Sequence, residues 1–413
     1  MAGVVLVGTL DTKGAEYEVM RDHLRALGHQ VTVVDAGVLG APGFVPDISR
    51  AEVAAAAGAD IDALLAARDR GVALTRLSEG ARVLLSDLHA QGRLHGVAAM
   101  GGSGGSALAA TAMRGLPVGV PKLIVSTVAS GDTRAYVGTT DITMMHSVVD
   151  VAGLNRISRR VIGNAAGAIA GMATAYQQAA GPTAGDRPLV GATMFGVTTP
   201  GAMAAKARLE EQGYEVIIFH AVGTGGQALE ALVAGGYLAG VLDLTTTELA
   251  DALVGGIFPA HDGRLTMAGK HGVPQVVSLG ALDMVNFGPR ASVPARFEGR
   301  LLYEHNANIT LMRTTPEECA VLGRQIGERL AAADAPTRLF IPKAGISAIA
   351  VVGGVFHDPD ADAALLNGIQ EGAGGQVEIT ELDLDINDSA FAQAMADALV
   401  AMMRRPSARG VQK

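Results

Sequence analysis

Leu94–Ala110 reads LHGVAAMGGSGGSALAA, and the order of its parts decides the fold. A short apolar run leads into Gly101-Gly102-Ser103-Gly104-Gly105-Ser106 and then into an alanine-rich helix start. That is the sequence form of a strand, an anion-binding loop and a helix. Backbone N–H groups can surround phosphate oxygens only where no Cβ keeps the ligand away, and the helix N-terminus adds partial positive charge. The stretch therefore predicts a phosphate cradle, with a simple tight turn as the plainer alternative.

Outward from this stretch the same alternation continues. Val4 to Val7 predicts a buried first strand ending in Gly8-Thr9-Leu10-Asp11-Thr12-Lys13-Gly14, followed by a helix from Ala15 to Leu27, a stop at Gly28 and a strand from Gln30 to Asp35. Between Ser49 and Leu88 the spacing predicts two helical segments. The Gly/Pro-rich residues 181–187 predict a linker between an N-terminal domain, 1–180, and a C-terminal domain, 188–413. After the linker the opening pattern returns: a strand from Leu189 to Phe195, a helix from Ala202 to Gln212, a strand from Tyr214 to His220, and Gly223-Thr224-Gly225-Gly226 before another helix. Both glycine loops fit G-x-G-x-x-A. The expected architecture is α/β, with two related Rossmann-like domains whose mainly parallel sheets face a central cleft; a similar strand order in both halves is its test. Further along, VLDLTTTELAD predicts a strand whose threonines cap the next helix, and PQVVSLGALDMVNFG predicts one strand. Thr315, Pro316 and Glu318 form a helix-start signature with a capping box.

Composition removes several function classes. With 413 residues, 49% hydrophobic and 18% charged, the chain can build two cores and is too apolar to be disordered. Its net charge of −9, with no Lys/Arg cluster, argues against a nucleic-acid partner. The single Cys319 excludes an internal disulfide framework and reads as a small buried residue. No basic region precedes the first apolar run, so no signal peptide is expected. Val161 to Ala180, rich in Ala and Gly and interrupted by polar residues, is too weak for a membrane span. The expected location is cytoplasmic, without a membrane partner.

Open α/β sheets bind ligands beyond the carboxyl ends of their strands. On that rule Gly101, Gly102, Ser103, Gly104, Gly105 and Ser106 hold phosphates, and Thr9, Asp11, Thr12 and Lys13 share their rim. Lys13 can neutralise phosphate charge, and Asp11 can hold Mg²⁺ through water. Asp132 and Asp141 are further rim carboxylates, whose plainer role is turn capping. In the second half His220, Asp243, Arg313 and Lys343 are the catalytic candidates: the histidine can move a proton near neutral pH, and the cationic pair can orient a carboxylate or phosphate. Arg313 can instead pair with Glu317 or Glu318. Thr198, Thr199, Gly223, Thr224, Gly225, Gly226, Thr246, Glu248, Asp283, Asn286, His305 and Asn306 are the substrate-binding candidates. Their spacing shows no compact metal signature, so no protein-held metal is expected. The Walker pattern G-x-x-x-x-G-K-[ST] is absent, and the first βα turn is not a dinucleotide fingerprint, which disfavours a P-loop ATPase and an NAD enzyme.

GTLDTKG, GGSGGS, GTTDIT with MMHSVVDVAGLN, GTGG, VLDLTTTELAD, GALDMVNFG, HN followed by LMRTTPEE, and FAQAMA together resemble a family of bacterial and plant proteins. That family is related to the ATP-binding domain of the tomato mosaic virus resistance protein. The resemblance spans the chain. It implies two Rossmann-like domains, ATP binding in the first, and a homodimer; the plant member's contact with a viral replication protein is not carried over. Ala348 to Val352 lack an acidic residue that the family pattern carries, and Asp385 stands where the pattern has a histidine. The expected function is that of an ATP-binding enzyme, a transferase, ligase or hydrolase acting on a small acidic metabolite between the halves. The alternatives are a non-nucleotide hydrolase or lyase that cleaves a C–C or ester bond, and a nucleotide-responsive binding or scaffold protein without turnover.

Overall fold

The computed structural model describes residues 1–179 and 185–404. The chain divides into two units, Met1–Thr183 and Ala184–Lys413. The expected linker, 181–187, lies largely outside the described residues.

Unit 1 runs β1 (Gly3–Gly8), α1 (Leu10–Ala26), β2 (Gln30–Asp35), α2 (Arg50–Ala56), α3 (Ile61–Ala66), α4 (Arg70–Ala90), β3 (Gly96–Gly101), α5 (Ser103–Met113), β4 (Lys122–Ser126), α6 (Arg134–Val137), β5 (Ile142–His146) and α7 (Arg156–Gln178). Its strands form one parallel sheet in the order β2-β1-β3-β4-β5. Both faces are covered, as a parallel sheet requires. Because side chains alternate along a strand, Val5, Val7, Val97 and Ala99 enter one core, while Val4, Leu6, Ala98 and Met100 enter the other. Three helices, α2 to α4, occupy the stretch where two were expected. Asp60 and Asp69 cap α3 and α4 and break the run there.

Unit 2 runs β6 (Leu189–Met194), α8 (Thr199–Glu211), β7 (Glu215–His220), α9 (Thr224–Ala234), β8 (Gly240–Thr245), α10 (Glu248–Val254), α11 (Met267–Lys270), β9 (Gln275–Gly280), β10 (Met284–Phe287), β11 (Leu302–Asn306), β12 (Ile309–Arg313), α12 (Pro316–Ala331), β13 (Thr337–Pro342), α13 (Pro359–Ala373), β14 (Glu378–Leu382) and α14 (Ser389–Met403). The main sheet has the order β14-β13-β9-β8-β6-β7, and every pair in it is parallel. Counted from its own first strand, it repeats the order of unit 1 with one strand added. The expected kinship of the halves is thereby met at the level of strand order.

Two local expectations are corrected. PQVVSLGALDMVNFG is two strands in different sheets, because Ala281 turns the chain with φ 59 and sends β10 into a small antiparallel sheet, β10-β12-β11. No threonine side chain caps α10; Thr247 itself is helical. The capping box at α12 is present: Thr315 Oγ accepts from the Glu318 amide, and the Glu318 carboxylate accepts from the Thr315 amide. Among the described residues no helix is long and apolar enough to cross a membrane.

Candidate functional site

In unit 1 the strand order reverses between β1 and β3, which makes their carboxyl ends the topological switch point. The two strands pair only from Val4–Gly96 to Leu6–Ala98 and then part. Tyr17 fills the gap: its hydroxyl donates toward the carbonyls of Val7 and Met100 and accepts from the Met100 amide at 2.8 Å. Gly8 is required there, because a Cβ on it would lie 1.9 Å from the tyrosine oxygen. The β1–α1 and β3–α5 turns stand on either side of this point.

The β3–α5 turn is the Gly101–Ser106 loop. Gly102 precedes α5 with no side chain capping the helix, and no described residue accepts a hydrogen bond from the amides of Ser103, Gly104 or Gly105. A Cβ on Gly102 or Gly104 would meet only Thr127 Oγ at 3.6 Å or Leu74 Cδ1 at 3.9 Å, so space lies over the turn. Gly101 is different: its position approaches Gly105 Cα to 3.0 Å. The Ser106 hydroxyl does not face a ligand. It is buried and lies 2.6 Å from Ser126 Oγ, locking α5 to β4.

The β1–α1 turn is closed from within. Asp35, at the end of β2, accepts from the Leu10 and Gly37 amides and pairs with Arg50. Asp11 Oδ2 accepts from the amides of Leu39 and Gly40, and its Oδ1 is buried without a partner against Gly37. Asp11 therefore fastens the 37–40 loop through one carboxylate oxygen. Lys13 spends its ammonium on the Val151 carbonyl, in a loop also held by Glu16 through the Gly153 amide. Thr9 and Thr12 face each other, with hydroxyl oxygens 2.9 Å apart. Asp132 is an exposed turn residue bound to Arg134, whose guanidinium and amide pull its carboxyl down to about 2. Asp141 pairs instead with the buried Lys122 at 2.7 Å.

Unit 2 has its own switch point between β6 and β8, and it is filled. Pairing ends at Ala192–Leu242; beyond it Thr193 Oγ donates to Asp243 at 2.7 Å and accepts from the Thr245 amide. Asp243 holds both terminal nitrogens of Arg264, and Glu248 takes its Nε at 2.6 Å. Glu230 lies 3.6 Å from the same guanidinium. Burial works against the charge of Arg264, yet the carboxylates of Asp243, Glu248 and Glu230 hold its pKa well above the ordinary value. The other oxygen of Glu248 accepts from the amides of Gly223 and Gly226 at 2.6 and 3.0 Å. The second glycine loop thus binds the chain's own carboxylate. It also follows the second strand of its sheet, whereas Gly101–Ser106 follows the third, so the two loops are not equivalent in the fold.

The remaining candidates separate in the same way. Arg313 is 4% exposed and is spent on Asp362, Thr314 and the Phe356 carbonyl, not on Glu317 or Glu318. Glu318 is paired by Arg300. Lys343 is exposed beside Asp383 and Glu381, and its hydrogen bond to Asp383 raises its pKa. The proposed Arg313–Lys343 clamp is therefore not formed: each cation has its own carboxylate. Thr198 bonds Thr245 Oγ, Thr199 bonds the Phe195 carbonyl, and Thr246 bonds the Ser278 carbonyl. Asn286 donates to Asp251, and Asp283 accepts from Ser347. Asn306 closes the β11–β12 turn through the Asn308 amide, and Thr224 is exposed at the start of α9. His220 and His305 are exposed. His220 packs against Phe195, and His305 Nε2 comes within 3.9 Å of where a Cβ would stand on Gly196. Both therefore border the turn after β6. Arg264 and Tyr17, which organise the two switch points, were not among the expected residues.

Two parallel open sheets with switch points at their carboxyl ends define a tandem Rossmann-like protein. The chain belongs to the uncharacterised protein family UPF0261, whose N-terminal domain matches residues 2–178 and whose C-terminal domain matches residues 187–403. It is 47% identical over 403 residues to a UPF0261 protein of Clostridium tetani, covering 97% of this chain and 99% of that one. It is 37% identical over 431 residues to the ToMV resistance protein Tm-1 of Solanum lycopersicum, covering 99% of this chain and 56% of the tomato protein. Among solved structures, a UDP-GlcNAc 2-epimerase from Neisseria meningitidis bound to UDP-GlcNAc is 9% identical over 97% of this chain and 100% of that one, with a TM-score of 0.22. That likeness is too weak to bear on ligands.

Proposed function

We propose that this chain is an ATP-binding protein that holds its nucleotide at the switch point of unit 1, with the phosphates on the amides of Ser103, Gly104 and Gly105. One observation carries the reading: the Gly223–Gly226 turn already holds Glu248 and the β1–α1 turn has Asp35 on its Leu10 amide, while the Gly102–Gly105 turn has no internal acceptor. A helix start with free amides stabilises phosphate through hydrogen bonds and the helix dipole. Lys13, committed to a carbonyl, adds its charge at a distance rather than as a contact.

We further infer an enzyme that turns the nucleotide over on a small acidic metabolite. The support lies in unit 2, where exposed His220 and His305 border the turn after β6, the side of an open sheet where ligands collect. Asp243, Glu248 and Arg313 have structural duties and take no part in that chemistry. The homodimer implied by the family resemblance belongs to the same proposal.

The test is calorimetric titration and thermal shift with ATP, ADP and NAD, with and without Mg²⁺, because a ligand that binds only the native state raises apparent stability. ATP is expected to stabilise the wild type, and the Gly104→Val variant is expected to fold and lose the response. Ser103→Asp is the second variant: an acid at a helix start supports the helix and repels phosphate. A response to NAD without one to ATP, or an unchanged ATP response in both variants, refutes the reading. Phosphate release with a panel of small carboxylic acids then tests for turnover.

A further inference from the structure

Unit 1 holds a cavity of about 200 Å³ walled by Val38, Leu39, Leu64 and Leu65 and bordered by Arg68, Asp69 and Arg70. Two links tie it to the turns of the switch point. Ala73, also in its wall, precedes Leu74, whose Cδ1 is 3.9 Å from the position a Cβ would take on Gly104. Leu39 is held in place by Asp11, which accepts its amide at 2.6 Å from the β1–α1 turn. One wall of the cavity is thus fastened to the β1–α1 turn, and the helix turn that supplies Ala73 also carries Leu74, which faces the β3–α5 turn.

The charge around the cavity is unbalanced. Arg68, in a left-handed conformation with φ 52, turns the chain so that Asp69 caps α4 through the Val72 amide. That commits the nearest carboxylate to the helix. Among the described residues neither Arg68 nor Arg70 forms an ion pair, and both side chains are exposed at the cavity rim. Planar guanidinium groups stack on flat rings as readily as they pair with anions. An apolar slot with two unpaired arginines, in the unit that carries the free helix amides, suits a molecule with a flat apolar ring at one end and phosphates at the other.

We propose that this cavity receives the heterocyclic base of the nucleotide whose phosphates rest on the β3–α5 turn. The inference rests on the phosphate reading above and adds the residues that distinguish a nucleotide from a bare polyphosphate. Leu64 and Leu65 supply the apolar face, and the arginines stack on or flank the ring.

The experiment compares ATP with inorganic tripolyphosphate by calorimetry, using wild type, Leu65→Glu, Arg70→Ala and Gly104→Val, each checked for folding by circular dichroism. Leu65 and Arg70 are both exposed, so Arg70→Ala preserves the test if Leu65→Glu disturbs α3. The expected result is at least a tenfold preference for ATP over tripolyphosphate in the wild type. Leu65→Glu and Arg70→Ala should lose that preference with tripolyphosphate binding unchanged, and Gly104→Val should lose both ligands. If both cavity variants keep the preference while Gly104→Val abolishes binding, the cavity assignment is overturned and the phosphate site stands. If the wild type binds neither ligand, the phosphate reading falls, and this inference with it.

Discussion

Glu248 Oε1 lies 3.0 Å from the amide nitrogen of Gly226, in the place a phosphate oxygen would take if this glycine loop served a ligand. Its second oxygen is 2.6 Å from Arg264 Nε, so one side chain both caps α9 and neutralises a fully buried cation. Removing Glu248 leaves Asp243 and Glu230 beside the cation but strips Arg264 Nε and two glycine amides of their acceptor; at about 1–3 kcal/mol for each stranded donor, the loss comes to about 3–5 kcal/mol. Glu248→Ala should cost that much in urea unfolding at neutral pH. Glu248→Gln should cost less, because its carbonyl still accepts from Gly223 and Gly226. Neither change should alter the ATP response of unit 1; an altered response would mean that the second loop takes part in binding.

Arg264 is the more severe position. Its guanidinium serves Asp243 with two nitrogens and Glu248 with the third. Lysine offers a point charge in place of a fork, so Arg264→Lys keeps the charge and loses most of the bonds. Each hydrogen bond to a charged group contributes on the order of 1.5–3 kcal/mol, so we expect this change to cost at least about 2 kcal/mol. Arg264→Met, which strands the carboxylates, should cost more and expose unit 2 to proteolysis. Limited digestion with peptide mapping distinguishes unit 2 from unit 1, and a stable, resistant Arg264→Met protein would contradict the structural role.

Much of this was legible in the residues themselves. The alternation of apolar runs with glycine-closed helices showed the βαβ order, and Thr315, Pro316 and Glu318 marked a helix start because a capping box is a local device. The failures were non-local. Glycine spacing made Gly223–Gly226 look like Gly101–Ser106, but only the fold shows that one follows the second strand of its sheet and the other the third. VLDLTTTELAD held a usable clue, since a strand and helix start buried throughout, carrying acids and no base, needs a cation from elsewhere. That cation, Arg264, comes from HDGRL, a segment with no motif of its own.

Asp283 gives unit 2 a distinctive pH dependence. Burial pushes its carboxyl up to about 6, against the opposing pull of Arg313 and the Ser347 hydroxyl. The folded state therefore binds more protons than the unfolded chain between the ordinary aspartate range and pH 6. On that sign, the contribution of Asp283 to stability falls as pH rises through this window and stays low above it. Asp251, also raised to about 6 by burial, acts in the same direction. Urea unfolding of wild type and Asp283→Asn at pH 5 and pH 8 isolates the first group. The difference between the proteins should change by on the order of 1–3 kcal/mol between the two pH values, Asp283→Asn gaining relative to wild type at pH 8. An offset independent of pH would show that Asp283 does not titrate in this window.

Tyr17 joins the fold of unit 1 to its proposed binding role. Its hydroxyl spans the parting ends of β1 and β3 by bonding Val7 and Met100. The Met100 amide is buried, so Tyr17→Phe leaves a donor without its partner and should cost about 1–3 kcal/mol. The turns on either side of the switch point begin one or two residues beyond these bonds, so a change in strand separation reaches the Gly102–Gly105 amides directly. ATP affinity in Tyr17→Phe should therefore fall while the protein remains folded, as measured by calorimetry well below its unfolding temperature. Tyr17→Trp would be uninformative, because Gly8 leaves room only for the phenol. If Tyr17→Phe loses stability but binds ATP as tightly as wild type, the spacing of β1 and β3 does not shape the nucleotide site, and the cradle depends on the local turn alone.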